Sequence, residues 1–192
     1  MAECVTFLCT ANICRSPWAE LRARQLLTGL EVRSSGTLAS SGNHMDPVMA
    51  ATLTGADTHR HRSRPLTRRL IDSSSLILCM ERTHRDFVLE EWPKAFRRTF
   101  TLGTFVRIIE QAPARLDFTD LVEWAFDNRQ PDLQANDVAD PYRQGPEVAR
   151  RCARQLESML QTLCVRLDAA AARDVLPVAP LSHTEPTEGN HV

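Results

Sequence analysis

The segment Cys9-Thr10-Ala11-Asn12-Ile13-Cys14-Arg15-Ser16-Pro17 sets a thiol six residues ahead of a guanidinium. A thiolate is a strong nucleophile, and a guanidinium matches two oxygens of a phosphate at once. The spacing alone decides nothing, because six cysteines and 22 arginines in 192 residues give about 0.7 chance matches. A second copy stands at Cys79 and Arg85. Context separates the two. The second reads Cys79-Met80-Glu81-Arg82-Thr83-His84-Arg85-Asp86, with a carboxylate inside the would-be anion cradle and bulky side chains where backbone must approach a phosphate. The first has no acid between Cys9 and Arg15, small or amide side chains at 10–12, and an asparagine suited to a left-handed turn at Asn12.

The groups prescribe a chemistry. Backbone N–H groups of Thr10, Ala11, Asn12, Ile13 and Cys14, with Arg15, would hold phosphate oxygens and favour Cys9 as a thiolate. Ser16 is placed to donate to that thiolate and ease its departure; a plain helix N-cap serves the same residue equally well. An oxygen leaving group needs a proton, so a second loop must supply an acid. Asp140-Pro141-Tyr142 fits, since Pro141 restricts Asp140 to extended backbone; Asp137 is a nearby rival, and a bare turn carboxylate is the bland reading.

These loops need elements to hold them. Residues 4–9 read as a buried strand running straight into the first loop, with a helix over 16–28 after it. Further strands fit 31–35, 76–80 and 99–102, and helices fit 47–53, 83–91, 104–111, 120–126 and 146–171. Strands alternating with helices predict an α/β domain with a mainly parallel sheet. In such a sheet the loop after the first strand is a favoured anion site. The stretch 130–136 reads as a loop, and residues 171–192, with three prolines and no periodicity, as a disordered tail behind a 1–170 catalytic domain.

Composition excludes several classes. A formal charge of -1 gives no whole-chain case for nucleic acid or an anionic membrane. No apolar run reaches the roughly 18–20 residues of a bilayer span, and no export signal opens the chain, so a cytoplasmic protein with reduced cysteines is expected. The run His59-Arg60-His61-Arg62-Ser63-Arg64 with Arg68-Arg69 lacks interleaved aromatics and reads as a solvated rim. No metal site is expected, and no cofactor is needed.

Taken together the segments resemble the low-molecular-weight protein tyrosine phosphatase family of bacterial type, over residues 4–168. The resemblance rests on the first loop, Ser34-Ser35-Gly36-Thr37, Met45-Asp46-Pro47, His61-Arg62-Ser63-Arg64, Leu76-Ile77-Leu78-Cys79-Met80 and Asp140-Pro141-Tyr142, in that order. It implies a four-stranded parallel sheet flanked by helices and hydrolysis of phosphotyrosine through a phosphocysteine. It further implies Cys9 as nucleophile, Arg15 as phosphate clamp and Asp140 as acid and then base. Asn12 would hold the loop's shape, with Thr37 and His61 behind it, and Tyr142 would stack on the substrate. Phosphotyrosine proteins, a tyrosine kinase among them, are the implied partners. Cys14 matches a position that can form a reversible disulfide with Cys9, or is simply a buried small side chain.

Three departures stand out. Ala11 replaces the family's usual glycine, at a cost of about 1 kcal/mol if the position needs a positive φ. Residues 38–41 lack the large aromatic often found on one cleft wall, and residues 117–135 are longer than compact members need, with room for an added helix near the acid loop. Two alternatives remain. An arsenate reductase of the same fold would use Cys79 as second thiol, but Asp86 stands where the third is expected. A non-catalytic phosphate-binding adaptor would have no use for both Cys9 and Asp140.

Overall fold

The structure is a computed structural model and describes residues 3–27 and 29–174. β1 (Cys4–Cys9) is an apolar run interrupted only by Thr6, and all six of its residues are buried. Such a strand suits the middle of a parallel sheet covered on both faces. It pairs in parallel with β2 (Glu31–Gly36) on one side and β3 (Leu76–Cys79) on the other, and β4 (Thr99–Thr101) extends the sheet beyond β3. The order is β2-β1-β3-β4. The chain leaves β1 toward one neighbour and later returns on the other side, so the crevice at the carboxyl end of β1 is the topological switch point. Cys9 ends β1 at that crevice.

Side-chain alternation divides the core. Val5, Phe7 and Cys9 point to the larger cluster, shared with Trp18 and Ala19 of α1 (Arg15–Leu26), Phe105 of α5 (Leu102–Ile109), Leu121 of α6 (Phe118–Asp127) and Leu156 of α7 (Gly145–Asp174). Leu8, Ile77 and Cys79 point to the opposite face, against Ile71 of α3 (Arg68–Asp72) and Val88 of α4 (Arg82–Glu91). The short helix α2 (Pro47–Ala50) starts where Asp46 accepts a hydrogen bond from the Met49 N–H at 2.9 Å, with proline at its first position.

The expected elements are present, with shifted ends. The first helix starts at Arg15 rather than 16, because its first turn grows directly from the loop. Helix α5 begins at Leu102, two residues early, where Thr101 closes β4 and caps the helix through its hydroxyl. Helix α3 was not foreseen; Thr67 caps it and only Ile71 of its five residues is buried, too few for a readable period. The final helix runs through Asp174, so the boundary expected at 171 falls inside it, and residues 175–192 of the expected tail lie outside the described residues. Among the described residues no helix is long and apolar enough to cross a membrane.

Candidate active site

The loop between β1 and α1 wraps around the switch point. Its turn is made by Asn12, whose φ of 54° is left-handed. Ala11 does not share that conformation, so the cost expected of a missing glycine does not arise. Asn12 is fully buried and every polar group on its side chain is used. Its Nδ2 donates to Ser16 Oγ at 2.9 Å and to Ser34 Oγ at 2.8 Å, and its Oδ1 accepts from the Arg64 N–H at 3.0 Å. Its carbonyl meets His61 Nε2 at 2.7 Å, which places the ring proton on Nε2. Burial lowers the His61 pKa, partly opposed by that hydrogen bond. Behind the asparagine lies a buried carboxylate, Glu20, which accepts from Ser34 Oγ and pairs with Arg24 and Arg64.

Two glycines admit the neighbouring backbone. A Cβ on Gly36 would sit 2.4 Å from the Thr10 carbonyl oxygen and 2.9 Å from the Asn12 nitrogen, so β2 can lie against the loop only without a side chain there. A Cβ on Gly103 would meet the Asn136 carbonyl oxygen at 2.3 Å, and this close approach seats the segment leading to the acid loop.

The donors of the loop are unspent. Among the described residues, no backbone N–H from 10 to 14 takes part in a hydrogen bond, and Cys14, at the N-cap of α1, makes no side-chain cap. Arg15 is 2% exposed. Its Nη1 donates to the Val138 carbonyl at 2.8 Å and pairs with Glu81, and its Nη2 lies 3.3 Å from Asp140 Oδ1. Its Nε, also buried, has no partner among the described residues. Unengaged amides at a helix start, beside a held guanidinium with a spare donor, form an oxyanion cradle.

The groups expected to react converge on it. Cys9 Sγ lies 3.0 Å from Ser16 Oγ, which also accepts from Asn12 Nδ2 at 2.9 Å and donates to the Ser35 carbonyl at 3.3 Å. Asp140 is half-exposed beside Arg15, whereas Asp137 is turned away by hydrogen bonds to the Arg82 N–H at 3.1 Å and Nε at 3.3 Å. Tyr142 is 40% exposed next to the acid. Arg143, the other non-glycine residue with positive φ among those described, stacks its guanidinium 5.1 Å from the Tyr142 ring centre. Leu38 is 73% exposed, and its N–H binds the Thr10 carbonyl at 2.9 Å, so an aliphatic side chain stands beside the loop. Trp18 is core, its Nε1 donating to Thr52 Oγ1 at 3.0 Å.

Other expected residues fall into place differently. Thr37 reaches the site through its backbone, donating to the Cys9 carbonyl at 3.0 Å, and its side chain joins no hydrogen bond among the described residues. Cys14 is buried, and burial pushes its thiol pKa up. Cys4, Cys9, Cys14, Cys79 and Cys152 are free thiols. Much of the basic run meets internal partners: His61 and Arg64 meet Asn12 and Glu20, Arg60 meets Asp57, and Arg68 meets Asp72. The carboxylate counted against the second Cys–Arg loop, Glu81, turns out to hold Arg15 of the first. Helix α6 forms in the long 117–135 segment, but the residues after it, not the helix, lead into the acid loop. Glu20, Glu81 and His84 were missed; Glu20 left no trace, since Ser16 and Arg24 stand one turn to either side and the buried part of α1 is itself mixed in polarity.

Residues 4–120 match the family described as low molecular weight phosphotyrosine protein phosphatase. The chain belongs to that family. It is 31% identical over 166 residues to a protein-arginine-phosphatase of Geobacillus stearothermophilus, covering 85% of this chain and 95% of that one. It is 27% identical over 165 residues to the low molecular weight protein-tyrosine-phosphatase Etp of Escherichia coli, covering 85% and 93%. Among solved structures, the YwlE arginine phosphatase from G. stearothermophilus superposes with a TM-score of 0.72 at 27% identity, covering 92% of this chain and 99% of that one. The low molecular weight protein tyrosine phosphatase from T. tengcongensis gives 0.68 at 25% identity, covering 86% and 100%. This member is thus a phosphatase of the low-molecular-weight type, with the family's four-stranded parallel sheet.

Proposed function

We propose that this phosphatase hydrolyses phosphotyrosine in cytoplasmic proteins, a tyrosine kinase among them, through a phosphocysteine at Cys9. The observation that carries the reading is the set of unspent donors around Cys9: the loop amides and Arg15 Nε, aimed at an oxyanion by a fully bonded Asn12. In the first step Cys9 sulfur bonds to phosphorus as the phosphorus–oxygen ester bond breaks, and Asp140 gives its proton to the leaving oxygen. In the second, Asp140 takes a proton from water, whose oxygen displaces the thiolate, and Ser16 donates to the departing sulfur. Arg15 and the amides hold the oxygens through both steps, which need no metal.

Phosphoarginine is the second reading, favoured by the name of the relative that matches across nearly its whole length. The groups around the loop support the aryl ester. Ile13 is apolar and partly buried within it, and Tyr142 is aromatic and half-open beside the acid. Neither offers a carboxylate or hydroxyl acceptor for a guanidinium, apart from the phenol. Steady-state assays on matched phosphotyrosine, phosphoarginine and phosphoserine peptides test this directly. A kcat/KM led by phosphotyrosine is expected, and one led by phosphoarginine overturns the substrate while keeping the mechanism.

A further inference from the structure

The first turn of α4 touches the phosphate loop at both ends. Glu81, just before the helix, pairs with Arg15 at the end of the loop. His84, one turn on and buried, places Nε2 2.9 Å from Thr10 Oγ1 at the loop's beginning. The same ring turns Nδ1 to the Glu81 N–H at 3.1 Å. An N–H can only donate, so Nδ1 carries no proton, and the ring proton sits on Nε2 and is given to Thr10. Burial first, and then the charge of Arg15, against an opposing pull from Glu81, hold the His84 pKa down to about 4, so the neutral tautomer persists in ordinary buffers. Thr10 Oγ1 makes no other hydrogen bond among the described residues, so His84 is its anchor.

We infer that His84 is a positioning residue: through Thr10 it fixes the start of the phosphate loop to the same helical turn that, through Glu81, fixes Arg15 at its end. The two ends of the cradle then keep one spacing, and the amides stay aimed while charge shifts from the ester oxygen to the sulfur. The inference rests on the phosphatase reading above. His84 touches neither substrate nor nucleophile and acts only through Thr10.

The imidazole's two nitrogens can be separated by substitution. In His84→Asn the amide oxygen takes the place of Nδ1 and keeps the bond from Glu81, but nothing reaches Thr10. In His84→Gln the amide nitrogen takes the place of Nε2 and keeps Thr10. Full-length variants are compared by p-nitrophenyl phosphate kinetics, inhibition by inorganic phosphate, and thermal unfolding. His84→Asn is expected to lose about three- to tenfold in kcat/KM, with a parallel weakening of phosphate inhibition at little change in Tm. His84→Gln is expected to lose far less activity while unfolding at lower temperature. Thr10→Val should match the loss in His84→Asn, and the double variant should add nothing to it. A His84→Asn protein with wild-type kcat/KM and phosphate inhibition overturns the inference, as do losses that simply add. If His84→Asn fails to fold, Thr10→Val against Thr10→Ser decides alone: equal activity in both overturns it. Wild-type protein without any turnover would instead strike the phosphatase reading itself.

Discussion

The loops after β1 and β3 begin alike, a cysteine at the end of a central parallel strand with an arginine six residues on, and they end as opposites. After β1 the chain spends five residues on a loop, and α1 starts only at Arg15, so the arginine sits at the rim of what the loop encloses. After β3 the helix starts at Arg82, which leaves Arg85 inside α4, paired with Asp86 and Asp132. The cysteines also face opposite sides of the sheet: Cys9 toward the α1 face, Cys79 into the cluster with Ile71 and Val88. Cys79 is fully buried and burial drives its thiol pKa up. The same spacing thus makes a cradle where the helix starts late and a plain strand end where it starts early. The second loop still serves the first, because its carboxylate and imidazole hold Arg15 and Thr10.

The sharpest way to break this comparison is to exchange each sulfur for oxygen. Cys9→Ser should abolish turnover of p-nitrophenyl phosphate while retaining phosphate binding, measured by titration calorimetry. Cys79→Ser should turn over like wild type and instead lose about 1–3 kcal/mol of stability in urea unfolding, as a hydroxyl enters an apolar site. Loss of turnover in Cys79→Ser would give the second thiol a chemical part, as an arsenate reductase requires.

The carboxylates come next. Asp140→Ala should slow hydrolysis of an alkyl or phenyl phosphate by about 10²–10⁴-fold and that of p-nitrophenyl phosphate much less, because a good leaving group needs no proton. Asp137→Ala, whose carboxylate is tied to Arg82, should show no such dependence on leaving group. Equal losses on both esters in Asp140→Ala would remove it as the acid.

The arginines give a smaller contrast. Arg15→Lys keeps a charge but loses the planar fork, and kcat/KM should fall by about 10²–10³-fold. Arg85→Lys, whose ion pairs go to Asp86 and Asp132 and not to the loop around Cys9, should stay within a few-fold. Comparable losses would mean that the charge around the crevice, rather than the geometry of one guanidinium, sets the rate.

How much of this could be read in the chain follows from what each feature depends on. β1 and β3 were legible because each is a short apolar run, β2 through the turn residues that end it and β4 only weakly, being Thr-Phe-Thr, and the loop was legible because its residues are consecutive. Asp140 was legible through the proline that fixes its backbone. Glu81 and His84 were not, because their roles depend on the α4 turn lying beside the loop 66 and 74 residues earlier, and local sequence carries no trace of that. Read locally, Glu81 even argued against a site. Thr37 shows the converse: its side chain was expected behind the loop, but only its backbone is used, and the buried polar work falls to Ser34 and Glu20.

Ala11 offers the finest test of how the loop is held. If a glycine were needed there, Ala11→Gly would raise stability and activity together by relieving strain. The structure puts the left-handed turn one residue later, at Asn12, where the side chain is bonded to Ser16, Ser34 and the Arg64 backbone. With no strain at 11 to relieve, a glycine there only frees the unfolded chain, and Ala11→Gly should cost about 0.4–1 kcal/mol in unfolding free energy. Its kcat/KM should remain within about twofold, since the amide keeps its place. A gain in both quantities would mean that the loop carries strain at Ala11 after all, and that the hydrogen bonds of Asn12 hold it against that strain rather than setting a relaxed turn.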